Sequence, residues 1–257
     1  HFVTGQNPTI RRSGVDRYFN DDDRVYSVNI AKLSMEIYKK SSGAIINRLE
    51  RIYDEIYIDE IQDLVGNDLE ILELLFKSKI RIFAAGDIRQ SILTTSRSDQ
   101  KNKKYRDLNK IEWFRKKQSE GIFTLEERNE TWRCNQQIID FADSVLPKDL
   151  NFPRTISRQS LSTDHDGVFV VSWDNLSSYI DKYDPECYKD NKRTKVLDNR
   201  NTLNFGKCKG RTASRVLIYP TNPIKKFLKD SSNTLVQQSS SKLYVAITRA
   251  IHSVAFV

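Results

Sequence analysis

Asp59 and Glu60 stand side by side at the end of an apolar run, in the stretch YIDEIQDL (residues 57–64), and Gln62 and Asp63 follow at once. In open α/β sheets ligands bind beyond the carboxyl ends of strands, and Asp59 is expected at such an end. A carboxylate there can hold Mg²⁺ through water, because Mg²⁺ is hard and prefers oxygen ligands. Glu60 is then placed to orient or deprotonate an attacking water. Metal, activated water and stabilisation of phosphoryl charge are what hydrolysis of a nucleoside triphosphate needs. The plainer alternative is an acidic pair that ends a strand and opens a polar loop.

Three further stretches could join that chemistry. AAGDIRQSI (84–92) also follows an apolar run. Gly86 there permits a tight turn, after which Asp87 and Gln90 can face the same crevice. An amide such as Gln90 can sense a terminal phosphate without adding fixed charge. NETWRCNQQIIDFAD (129–143) places Arg133 ahead of a helix, and KLYVAITRAIHSVAFV (242–257) places Arg249 at a helix end before the final strand. Arginine meets phosphate with a planar fork and stabilises transition-state charge. Each arginine alone also fits a surface or salt-bridging role.

The elements that must position these residues alternate. Strand-like runs fall at 55–59, 80–85, 168–172, 215–219 and 252–257, and helical patterns at 29–40, 68–77, 108–118, 135–146, 174–182, 222–229 and 241–250. Asn67 is expected to cap the helix at 68–77, with Glu70 reaching back. The alternation predicts an α/β protein with mostly parallel sheets. The turn-rich stretch 147–166 could separate two units.

Charge is unevenly spread over a net +8: residues 54–73 hold eight acids and no Lys or Arg. KNKKYRDLNKIEWFRKK (101–117) has eight basic and two acidic residues, and so has 189–211. Basic stretches with interleaved aromatics suit a polyanion with stackable bases; the alternative is a solvated Lys-rich face. Lys101, Lys103, Lys104 and Arg106 are the candidate phosphate contacts. Tyr105 or Trp113 is a candidate for stacking, although Ile111, Trp113 and Phe114 also read as the apolar face of a helix. Three widely spaced cysteines make neither a disulfide framework nor a zinc ribbon and fit a reducing, cytoplasmic setting. No run of about 18 apolar residues is present, and no signal peptide is visible. The start at His1 without Met suggests a processed or truncated product.

DEIQD, GDIRQSI, TWRC and LYVAITRA, in that order, resemble the nucleotide-binding motifs of UvrD/Rep-like superfamily 1 DNA helicases. FGKCKGRTASRVLIYP (205–220) fits the intervening motif, whose core is KG followed by an apolar strand. The resemblance runs from about residue 50 to 257. It implies two RecA-like parallel-sheet domains, the first incomplete: residues 1–124 with DExQD and GDxxQ, and residues 125–257 with both arginines. ATP and Mg²⁺ are the implied cofactors, with ATP in the cleft between the domains. Asp59 resembles the metal residue, Glu60 the base, and Gln90 the γ-phosphate contact. Arg133 and Arg249 resemble the arginines of the second motor domain. Lys209 and Gly210 resemble the start of the motif linking nucleotide and DNA sites. Gln62 and Asp87 belong to the same nucleotide-binding set. The implied partner is single-stranded or partly duplex DNA.

The departures from the family pattern are specific. No G-x-x-x-x-G-K-[ST] occurs, and only 58 residues precede Asp59. Without that lysine and its nest of backbone N–H groups, tight ATP binding is not expected. The aromatic-rich segment after GDxxQ is replaced by Leu93 to Ser96, and the positions after KG are Thr212, Ala213 and Ser214. Only 72 residues separate Arg133 from Gly206, which leaves no room for a large accessory insertion. Two readings follow. One is part of an ATP-dependent helicase or translocase. The other is a non-hydrolysing subunit that binds nucleic acid or a protein partner such as a nuclease, as in anti-phage complexes. A stand-alone nuclease is the weakest reading, since no metal cluster extends beyond Asp59, Glu60 and Asp63.

Overall fold

The computed structural model describes residues 2–3, 14–96, 99–191, 193–197 and 201–257. They divide into two compact units, one drawn from residues 1–88 and 93–125, the other from 89–92 and 126–257. His1 and four residues of the basic stretch 189–211 (192 and 198–200) lie outside the described residues.

In the first unit β1 (Phe2–Val3) pairs in parallel with β2 (Val25–Tyr26). Then come α1 (Ile30–Lys40), α2 (Ala44–Glu50), β3 (Glu55–Ile58), α3 (Asn67–Phe76), β4 (Arg81–Ala84) and α4 (Lys110–Ser119). β3 and β4 run parallel, with Ile56 opposite Ile82 and Ile58 opposite Ala84. Ile61, Leu69, Leu72, Tyr105, Trp113 and Phe114 form one buried cluster. Burying such side chains stabilises by about 1.5–3 kcal/mol each. Ile61 belongs to that cluster, so the segment just past β3 is clamped from below by apolar packing.

Two expectations are corrected here. Trp113 is 2% exposed and meets Phe114 edge-on at 5.1 Å. Tyr105 is buried with it. Both rings belong to the buried cluster rather than to the surface, and for Trp113 the apolar-face reading holds. Asn67 is the first residue of α3, not its cap, and no capping box forms. Gly66 holds the cap position at φ 63°. The Asp99 carboxylate, 32 residues on, accepts the Asn67 amide N–H at 2.9 Å instead, while Glu70 accepts from Asn102 at 2.8 Å.

The second unit contains β5 (Glu130–Thr131), α5 (Gln136–Ser144), β6 (Ile156–Ser157), β7 (Gly167–Val170), α6 (Leu176–Tyr183), β8 (Glu186–Lys189) and β9 (Thr202–Asn204). β10 (Ala213–Tyr219), α7 (Asn222–Lys229), α8 (Gln237–Ile247) and β11 (Ala250–Phe256) complete it. Five strands form a parallel sheet in the order β7-β11-β10-β8-β9. Val216, Leu217 and Ile218 of β10 and Val254, Ala255 and Phe256 of β11 are fully buried. Such continuous apolar runs belong to parallel strands covered on both faces. Leu243 to Ile247 of α8 are buried as well, and a helix apolar all round is a buried one.

The α/β, parallel-sheet class expected from the alternation is what the chain adopts. The helix expected at 241–250 runs from 237 to 247, and β11 starts at Ala250. The short polar strands ECYK and TLN and the helix α2 had no distinct pattern and were not anticipated. The turn-rich stretch 147–166 lies wholly in the second unit. Among the described residues no helix is long and apolar enough to cross a membrane.

Candidate functional site

Asp59 and Glu60 follow β3 directly, at its carboxyl end, and both are exposed. Glu60 adopts the left-handed region at φ 52°, ψ 39°, which costs a non-glycine residue roughly 1–2 kcal/mol. Its amide N–H donates to Asp59 Oδ1 at 2.7 Å, which offsets part of that cost and orients the carboxylate. Ile61 N–H donates to the Ala85 carbonyl at 3.0 Å, and Ala85 N–H to the Ile58 carbonyl at 2.8 Å. The two strand ends are thereby laced together just where the carboxylates emerge.

Gln62 organises this end of the sheet. It is completely buried. Its Nε2 donates to Glu60 Oε2, and its Oε1 accepts the Asp87 amide N–H at 3.1 Å. Its backbone carbonyl accepts from Lys110 Nζ, which is also fully buried. Gly86 is required by this contact: a Cβ there would overlap Gln62 Oε1 and stand 3.0 Å from the Ile61 nitrogen. The glycine thus serves close approach to the amide. The residues fit Mg²⁺: one exposed, oriented carboxylate is the donor set this ion takes when phosphate oxygens and waters complete its shell. Among the described residues no group of three or more His, Cys, Asp or Glu is arranged to hold a metal ion.

The arginines lie in the second unit, ahead of the amino ends of β10 and β11. Arg249 is 2% exposed. Its Nε donates to the Val245 carbonyl at 3.0 Å, and its Nη2 donates to Thr248 Oγ1 and Gln90 Oε1, each at 3.2 Å. Gln90 reaches it because residues 89–92 pack in the second unit. Half-buried Arg133 donates Nη1 to the Thr248 carbonyl at 3.3 Å. Burial, and then the charge of Arg133, lowers the Arg249 guanidinium from its ordinary value. Two guanidinium groups are thus held around one threonine.

Lys209 and Gly210 form a turn, with Gly210 at φ 81° and the Arg211 N–H donating to the Cys208 carbonyl at 3.0 Å. The turn delivers the Arg211 carbonyl to Arg249 Nη1 at 3.5 Å. The basic loop of the first unit is partly engaged internally. Lys101 pairs with Glu70 at 3.5 Å, and Arg106 donates to the Asp99 carbonyl. Lys103 and Lys104 are exposed, the latter with its ammonium 4.8 Å from the Tyr105 ring centre.

Three contributors escaped the sequence reading. Lys110 was counted as one more surface cation, yet its position on the inner face of α4, beside Ile111 and Phe114, was a usable signal. Asn135 caps α5 by accepting the Ile138 N–H at 3.1 Å and also donates to the His252 carbonyl at 2.8 Å. It ties the Arg133 loop to β11, and an Asn just before a helix is the standard signal for a cap. Trp132, 69% exposed, lines an open groove of about 500 Å³ together with Arg133, Gln159, Leu161, Thr212 and Ile251.

Residues 13–107 match the model of the UvrD/REP helicase N-terminal domain. Among solved structures, the arterivirus nonstructural protein 10 helicase is 16% identical (TM-score 0.47), over 79% of this chain and 38% of that one. The same arterivirus protein in complex with DNA is 14% identical (TM-score 0.43), over 79% and 39%. The C-terminal domain of a possible DNA helicase from Lactobacillus plantarum WCFS1 is 17% identical (TM-score 0.32), over 49% and 86%. The chain therefore spans under two-fifths of the arterivirus helicase. No curated protein matches. The similarity to the UvrD/REP helicase N-terminal domain covers residues 13–107, less than half of the chain.

Proposed function

We propose that these 257 residues are part of an ATP-dependent DNA helicase or translocase of the UvrD type, with residues 1–124 from the first motor domain and 125–257 from the second. The observation that carries this reading is the posture of Glu60. Glu60 is exposed past a strand end, in a left-handed conformation and hydrogen-bonded to a fully buried amide, and strain held in this way supports a role in chemistry. Asp59 is the metal residue, and Mg²⁺ when bound would supply charge neutralisation on the phosphates. Glu60 takes the proton of the attacking water, and Gln62 holds its carboxylate in place. Arg133 and Arg249 receive phosphoryl charge. Exposed Trp132, beside Arg133, offers a face for a nucleobase.

A second reading, nucleic-acid or partner binding without hydrolysis, draws on one fact: the 257 residues contain no G-x-x-x-x-G-K-[ST]. The same experiment addresses both. The 257-residue chain, purified and mixed with Mg²⁺, ATP and single-stranded DNA, is expected to release no phosphate. A chain that also carries a phosphate-cradling loop is expected to release phosphate in a DNA-dependent way. DNA-stimulated release by the 257-residue chain, abolished by Glu60→Gln, would overturn the need for that loop. No release from the loop-containing chain would leave the second reading.

A further inference from the structure

Arg89 occupies the middle of GDIRQSI, and its guanidinium is almost fully buried. Nη1 donates to Thr155 Oγ1 and Nη2 to the Pro153 carbonyl, each at 2.7 Å. Asp143 Oδ1 lies 3.9 Å from Nη1, and the Phe152 ring centre is 5.5 Å from the guanidinium carbon. Asp143 is itself fixed: its Oδ2 accepts the Thr155 N–H at 2.7 Å and its Oδ1 the Thr155 hydroxyl at 3.1 Å. All these partners belong to one segment of the second unit. Taking a guanidinium out of water is costly, and a buried charge persists where its geometry is fully satisfied. A planar fork that spans two acceptors fixes the direction of the backbone it hangs from.

That backbone carries Gln90 as its next residue, and Gln90 Oε1 accepts from Arg249. Two residues before Arg89, the Asp87 N–H is held by Gln62 of the first unit. The chain leaves the first unit after Ile88, is fastened by Arg89, and returns at Leu93; there Thr95 N–H donates to the Asp63 carbonyl at 3.0 Å. We propose that Arg89 is a positioning residue: its buried fork fastens residues 89–92 into the second unit, which sets the Gln90 amide on Arg249 and keeps that guanidinium in its buried pose. Ile88 is then the single residue between the anchor of the carboxylate site and the anchor of the arginine site. The consequence for turnover rests on the reading of Arg249 as a phosphate contact; the positioning itself does not.

The test uses the 257-residue chain and two readouts that need no nucleotide: amide hydrogen exchange, and phenylglyoxal modification of individual arginines followed by mass spectrometry. In Arg89→Met, residues 89–92 are expected to lose exchange protection while β10 and β11 keep theirs. Arg249 is expected to modify about tenfold faster, the factor that loss of one charge-assisted hydrogen bond allows. Gln90→Ala should give the same acceleration, and the double variant no more, because both changes break one linkage. Additive effects, an unchanged Arg249 rate, or equal acceleration at Arg215 would overturn the proposal. If Arg89→Met fails to fold, Thr155→Val removes one acceptor only and should shift Arg249 in the same direction by less. No shift there would count equally against it. In a chain that also carries a phosphate-cradling loop, loss of ATP turnover in Arg89→Met without faster Arg249 labelling would sink the positioning role and leave the ATPase reading intact.

Discussion

Asp59 and Glu60 lie exposed past the carboxyl end of β3, whereas Arg249 lies buried ahead of the amino end of β11. The carboxylate site follows the general rule for open α/β sheets; the arginine site does not. The difference lies in what each group must withstand. The first site is held from behind, by Gln62, Lys110 and the packing of Ile61, which on the proposed reading leaves its carboxylates open to a hydrated metal and an attacking water. The arginine is held from all sides, by Val245, Thr248, Gln90 and Arg211. One site can therefore lose its reacting group with little structural penalty, while the other cannot.

The largest effect is expected at Arg249. In a chain that carries a phosphate-cradling loop, Arg249→Ala should slow hydrolysis by about 10³–10⁵, the range for loss of a transition-state arginine. It should also lower stability. Gln90 Oε1 and the carbonyls of Val245 and Arg211 lose a buried donor, at about 2 kcal/mol or roughly 4–8 °C in Tm. Steady-state phosphate release and calorimetry check the two halves. A full rate with a lowered Tm would make Arg249 a structural residue only.

Glu60→Gln supplies the contrast. It should reduce hydrolysis by about 10²–10⁴, as loss of a general base does, while ATP and DNA binding persist because Asp59 stays on the metal. Its Tm should move little, since the side chain is exposed. A large fall in Tm would show that the Glu60–Gln62 bond is structural, and the contrast between the sites would fail.

Trp113→Ala sharpens the same division between reacting and supporting residues. A large aromatic removed from a packed cluster costs about 3–5 kcal/mol, read as a lowered denaturation midpoint. The folded fraction should bind single-stranded oligonucleotide as the parent does. Weakened binding at an unchanged midpoint would return the indole to the DNA surface.

How much of this was legible depends on how local each signal is. DEIQD and LYVAITRA announce themselves because the apolar strand or helix and the charged residue are contiguous. β10 and β11 are plain in the sequence for the same reason. The start of α3 at Asn67 was misread because the acceptor that holds it comes from Asp99, 32 residues away. Arg89 is invisible because its partners are 64 and 66 residues distant. Gln62 could be named as part of the nucleotide set, but nothing near it in the chain marks it as the buried link between Glu60 and Asp87. The strands β8 and β9 are short and polar, and pairing with β10 supplies what their composition lacks.

The smallest effect concerns the proposed binding of nucleic acid and which unit would carry it. In the first unit, Lys101 and Arg106 already serve Glu70 and the Asp99 carbonyl, which leaves Lys103 and Lys104 as the better phosphate contacts of that loop. In the second unit, Arg211 pairs with Glu186 at 3.3 Å and Lys195 lies 4.6 Å from the Trp173 ring centre. Each phosphate contact adds about −0.7 to the salt slope of single-strand binding. Replacing Lys103 and Lys104 with Ala should flatten that slope by about 1.4 and weaken binding alike for all sequences. A solvated face predicts no change in either quantity. Titrating labelled oligonucleotide at several salt concentrations against both proteins separates the two. An unchanged slope would move the nucleic-acid path out of residues 101–117 and turn attention to the Lys209–Gly210 turn, which delivers the Arg211 carbonyl to Arg249.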